Sequence, residues 1–166
     1  MIFASVGTHE DPFDRLVTEL DRLVDAGIIK EEVIMQRGYS RDARNFASEA
    51  MMPFPRVQSL MAQARVVITH GGPATIMQAL SHGKVPVVIP RQPQFGEHVD
   101  GHQIQFAKRL SDRVIVVLEI GELAGVLRDY DALVAGLKGG EPPRERARKF
   151  AGALADLVDA LCEAKK

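Results

Sequence analysis

Tryptophan is absent from the 166 residues, cysteine occurs once, and aromatic side chains make up only 5% of the chain. The lone Cys162 has no partner, which excludes an internal disulfide and a cysteine-rich zinc site and fits a reducing compartment. Neither sign of charge is in excess. With 21 Lys and Arg against 22 Asp and Glu the net charge is −1, so no bulk field favours nucleic acid or an anionic membrane. No apolar run approaches the about 18 residues that a spanning helix needs. The opening "MIFASVGTHE" lacks the basic flank and the length of a secretory signal and reads as a strand. These absences together lead us to expect a cytoplasmic protein without a nucleic-acid partner.

What the chain does contain is a regular alternation. Hydrophobic residues reach 46%, ample for one packed interior. Continuous Val and Ile runs at Ile2 to Val6, Glu32 to Gln36, Arg65 to Thr69, Val85 to Pro90 and Arg113 to Leu118 read as strands, with a weaker extended piece near Phe46 to Met52. Between them lie helical patterns. The first runs from an N-cap at Asp11, with Pro12 in the first helical position, to a stop at Gly27. Others are expected from about Pro55 to Gln63, from Pro73 to a stop at Gly83, and from Gly101 to Leu110. The tail, about residues 119–162, reads as one helix from Ile120 to Lys138 and another from Pro143 to Leu161, separated by "GGEPP". Arg144, Arg146, Arg148 and Lys149 on the latter read as a solvated face. Strands apolar on both sides and separated by helices predict an α/β domain, a doubly wound parallel sheet spanning residues 1–166 as one unit.

In such sheets ligands bind beyond the carboxyl ends of the strands. There "RVVITHGGPATIMQAL" places His70, Gly71 and Gly72, then Pro73 at the first helical position. The N–H groups of Ala74, Thr75 and Ile76 and the Thr75 hydroxyl would face an anion at the positive end of the helix, and phosphate is the natural guest. Gln78, one turn on, stands within reach of a sugar carried by that phosphate. A tight turn whose glycines serve the backbone alone is the competing explanation for "HGG". Neither G-x-G-x-x-G nor G-x-x-x-x-G-K-[ST] occurs, which counts against nicotinamide cofactors and Walker-type ATP binding. The spacing counts against a zinc site. His98 and His102 stand four apart, but no H-E-x-x-H is present and the proline-glycine loop is not helical across them. G-x-S-x-G is missing too, which counts against an α/β-hydrolase.

"ITHGGPATIMQAL" followed by "GKVPVVIPRQPQFGEHVDGHQIQFAKRL" resembles the nucleotide-sugar-binding, C-terminal half of family 28 glycosyltransferases. The start "VGTHEDPFDRLV" and the turn "VIMQRGYS" resemble its smaller, stand-alone members. Those are the short subunit of two-part bacterial exopolysaccharide glycosyltransferases and the cytosolic subunit of the dolichol-pathway N-acetylglucosaminyltransferase. The resemblance implies one Rossmann-like half of a GT-B fold. It also implies a UDP-sugar donor, no cofactor and no obligatory metal. The partner would be a membrane-anchored, acceptor-binding subunit that recruits this chain to the inner face of the membrane, and the acceptor a lipid-linked sugar.

On the same resemblance Gly7 and Thr8 form a phosphate-facing turn, and His70, Gly71, Gly72, Ala74 and Thr75 the diphosphate turn. His102 and Gln103 meet the donor sugar and diphosphate. Gln78 departs from the usual glutamate on the ribose hydroxyls, losing the charge that strengthens such bonds. Ala74 stands where a glycine often sits. Phe54 falls in the segment that reads the uracil ring, although by its type it reads equally as a core aromatic. His9 and Glu10 are the local candidates for general base, a role usually supplied by the other half. His82 reads as a residue at a helix end, and His98 as a partner of Asp100 or a solvated side chain.

Overall fold

The computed structural model describes residues 1–137, so the second tail helix, its basic face and Cys162 lie outside the described residues. Six parallel strands form one sheet in the order β3-β2-β1-β4-β5-β6. They are β1 (Ile2–Ser5), β2 (Val33–Gln36), β3 (Ala47–Glu49), β4 (Val66–Thr69), β5 (Val87–Val88) and β6 (Ile115–Val116). Register along the centre runs Ile2 beside both Val33 and Val66, and Ser5 beside both Gln36 and Thr69. The order reverses direction between β1 and β4, which makes the carboxyl ends of those two strands the topological switch point.

Alternation within each strand divides the core into two layers. Ile2, Ala4, Val6, Met35, Val66, Ile68 and Ile89 point to one face. They pack there on Phe13, Leu16, Val17, Leu20 and Leu23 around α1 (Asp14–Asp25), and on Leu123 and Leu127 of α5 (Leu123–Arg128). On the opposite face Phe3 and Val67 meet Val57 and Met61 of α2 (Phe54–Gln63) and Ala79 of α3 (Pro73–Ser81). Val88 meets Ile76 of α3 and Ala107 of α4 (His102–Arg109) beside it. Both faces are thus covered, the arrangement that permits strands apolar on both sides.

Two helix boundaries differ from expectation. Helix α1 starts at Asp14, three residues past the expected N-cap. The Phe13 N–H donates to Ser40 Oγ at 2.8 Å and the Asp11 carbonyl accepts from Arg91, so tertiary contacts hold this segment in the loop. The expected helix from Ile120 to Lys138 opens as a 3-10 turn over Ile120–Glu122 and is then broken at Asp129 into α5 and α6 (Tyr130–Gly136). Tyr130 is the reason, because its ring is buried in the core and its hydroxyl donates to the Val85 carbonyl at 2.7 Å. No helix among the described residues is long and apolar enough to cross a membrane.

Candidate functional site

At the switch point the chain leaves β1 through Gly7 and β4 through His70, and the two turns meet. Gly7 has φ +75°, a conformation closed to most side chains, and a Cβ there would stand 2.6 Å from His70 Cε1. A Cβ at Gly72 would stand 2.3 Å from His70 Nε2. The imidazole is therefore clasped between two glycines. Gly71 has a different neighbour, since its Cβ would meet Gln103 Cβ at 2.6 Å. The two consecutive glycines thus answer two separate close approaches.

The clasped ring is 8% exposed, and its Nδ1 is buried without a hydrogen-bond partner. Burial, with the nearby Arg91 guanidinium adding to it, pushes the His70 pKa down to about 4. His70 is a neutral plug at neutral pH and brings no cationic charge to the turn.

Helix α3 begins on this plug. Gly72 is its N-cap and no side chain caps it. The first backbone bond runs from the Ile76 N–H to the Gly72 carbonyl at 3.2 Å. Ile76 therefore drops out of the expected set of free donors. Ala74 and Thr75 remain at the open end of the helix, where uncapped amides and the helix dipole favour an anion. Ala74 is exposed.

These residues open onto a cleft of about 400 Å³. Ser5, Gly7, Thr8 and Gln36 line its β1–β2 side, while His70, Gly72, Pro73, Ala74, Thr75 and Gln78 line the α3 side. Met52, Phe54 and Val57 line it as well. Phe54 is 63% exposed at the first turn of α2, which overturns its reading as a core aromatic. Gln78 faces the cleft with its carboxamide oxygen already engaged, accepting from Gln58 Nε2 at 3.0 Å. Gln58 Oε1 in turn lies 2.7 Å from His82 Nε2, so His82 belongs to a side-chain chain linking α2 with α3.

The other expected site residues lie outside this lining. Gln103 is buried, and its Oε1 accepts the Arg91 N–H at 3.2 Å, a packing role behind Gly71. His102 opens α4, with its N–H and Nδ1 both on Asp100 Oδ1, at 3.0 and 2.5 Å. His9 and Glu10 are exposed on the β1–α1 loop, and His9 Nδ1 accepts the Asp11 N–H at 3.2 Å. His98 corrects the expectation of a solvated side chain. Only 9% of its side chain is exposed, and its ring lies between those of His9 and His102 at centroid distances of 5.1 and 4.7 Å.

Sequence reasoning missed the frame that brings these loops together. Arg91 is fully buried, donating through Nη1 to the Asp11 and Glu97 carbonyls and through Nη2 to the Val6 carbonyl. Arg15 clasps the buried Glu97 carboxylate at 2.9 and 3.0 Å, and the Gln92 N–H donates to the same carboxylate at 3.0 Å. The one available signal was a charged residue directly after the apolar run "VPVVIP".

The model of the glycosyltransferase family 28 C-terminal domain matches residues 1–132. The chain belongs to this family. Among solved structures it is similar to the glycotransferase of kitacinnamycin, at 21% identity and TM-score 0.56 over 81% of this chain and 34% of that one. It is also similar to the glycosyltransferase SnogD from Streptomyces nogalater, at 19% identity and TM-score 0.55 over 92% and 43% of the two chains. CalG4, the calicheamicin glycosyltransferase, matches at 19% identity and TM-score 0.54 over 96% and 41%. The family 28 domain described here spans less than half the length of these structures, and at such identities the likeness concerns the fold, a Rossmann-like half of a GT-B glycosyltransferase. No curated protein matches the sequence.

Proposed function

We propose that this chain is the UDP-sugar-binding subunit of a two-component inverting glycosyltransferase. It transfers a hexose or hexose derivative to a lipid-linked acceptor in polysaccharide synthesis, in the cytoplasm at the inner face of the membrane. The observation that carries the reading is the cleft at the switch point, with the uncapped start of α3 opening into it. The Ala74 and Thr75 amides and the Thr75 hydroxyl take the diphosphate, and the ring of Phe54 offers a face for the base. Leaving UDP gains negative charge during transfer, and fixed N–H dipoles stabilise it without an obligatory metal or cofactor. His102, the first residue of α4, meets the donor sugar. The general base comes from the acceptor-binding, membrane-anchored partner, with His9 and Glu10 on the exposed β1–α1 loop as this chain's own candidates.

Calorimetry of the purified chain with UDP and UDP-sugars tests the donor site. Saturable binding is expected, weakened about tenfold by Thr75→Ala through loss of one charge-assisted hydrogen bond. Absence of saturation by any uridine nucleotide would overturn the reading. A second reading, a non-catalytic nucleotide-sugar-binding regulatory or scaffold subunit, is favoured by the engaged, uncharged Gln78. Reconstitution with the acceptor-binding subunit separates the two, since sugar transfer is expected only from an enzyme.

A further inference from the structure

The loop between β5 and α4 gathers three potential metal ligands beside the cleft. The ligand atoms of His98, Asp100 and His102 all lie within 4.8 Å of one another. Asp100 Oδ1 stands 2.5 Å from His102 Nδ1 and 3.7 Å from His98 Nδ1. Three ligands in a tetrahedral shell with bonds of about 2.0–2.2 Å stand about 3.4 Å apart, so the observed separations bracket the required one.

Freedom of movement is distributed as a site needs it. His98 is held by burial, with only 9% of its side chain exposed. Asp100 and His102 are more than half exposed and turn without displacing the core. Two imidazoles with one carboxylate suit a zinc-like ion, whereas magnesium and calcium prefer oxygen ligands.

We propose that His98, Asp100 and His102 bind one divalent transition-metal ion of the zinc class, with water in the fourth position. The ion replaces the hydrogen bond between His102 and Asp100 and draws the imidazole toward the loop. On the donor-site reading above this removes His102 from the donor sugar, so the metal acts as an inhibitor and not as a cofactor. That consequence rests on the donor reading, whereas the binding itself does not.

The test is titration of the full-length, chelator-stripped chain with Co²⁺ and then Zn²⁺, without nucleotide. One equivalent of Co²⁺ is expected, with the visible absorption of a tetrahedral site, displaced by Zn²⁺. His98→Ala and His102→Ala are each expected to weaken Zn²⁺ binding by at least about tenfold. His82→Ala, at the far end of α3, leaves it unchanged, and circular dichroism confirms that each variant is folded. No stoichiometric uptake, or undiminished affinity in the His98→Ala/His102→Ala double variant, overturns the proposal. Calorimetry with a UDP-sugar, with and without Zn²⁺, keeps the two readings apart. If Zn²⁺ binds and uridine nucleotides do not, the donor reading fails and the metal site stands.

Discussion

At the amino ends of β1 and β4 the Glu31 carboxylate is clasped by Arg65, which also reaches Asp131 at 3.4 Å. At the carboxyl ends of the same strands His70 is neutral, its Nδ1 has no partner, and the first amides of α3 are uncapped. A cavity of about 350 Å³ lies at the amino end and a cleft of about 400 Å³ at the carboxyl end, so volume does not distinguish them. Chemistry does. At one end the Glu31 and Arg65 charges are paired within the protein, and the other leaves backbone donors unspent. Helices that follow parallel strands all begin at the carboxyl edge, so that edge collects the positive ends of their dipoles.

The largest effect that sharpens this contrast is expected at Gly72. Gly72→Ala drives a methyl into the His70 ring, and overpacking of this kind costs about 1–3 kcal/mol of stability, with nucleotide binding lost besides. Chemical denaturation and calorimetry on the same preparation check both. Unchanged stability would show that the clasp is loose.

Next comes the pH response of the plug. Because the folded pKa of His70 lies below its ordinary value, its contribution is complete above pH 6.5. It is lost as pH falls toward about 4, a loss of about 3 kcal/mol. Denaturation midpoints followed across that window should fall in the parent chain and fall less in His70→Asn.

The amino end should respond lower on the pH scale. Its hydrogen bonds to Arg65 hold Glu31 down at about 2, so its stabilisation is present above about pH 4.5 and lost between there and pH 2. Glu31→Gln is expected to cost about 1–2 kcal/mol at pH 7 after solvent screening, and to leave nucleotide affinity untouched. A loss of nucleotide affinity in this variant would break the separation between the two ends. The smallest stability effect belongs to Thr75→Ala, expected within about 0.5 kcal/mol of the parent even as affinity falls.

How far the sequence could be read depended on the range of the contacts involved. Strand positions, the doubly wound class and the turn from His70 to Thr75 were legible, because each rests on local periodicity or on glycine and proline chemistry. The start of α1 was not, because Ser40 and Arg91 reach the segment from distant parts of the chain. Phe54 was open either way in sequence, since an aromatic at a helix start suits a core or a rim equally. Gln103 and His102 are adjacent, yet one packs behind Gly71 and the other stands at the surface, a difference set by where α4 begins.

The sequence by itself determined the layers of this protein and the place of the glycine turn that opens α3. Side-chain alternation and backbone freedom are properties of neighbouring residues and survive without knowledge of the rest. Only the tertiary structure decided which histidine became a buried plug, which three side chains met on the β5–α4 loop, and that a fully buried arginine ties that loop to the first turn. The plug and the arginine tie depend on distant segments arriving at one point, and the histidine cluster on how the β5–α4 loop folds back on itself.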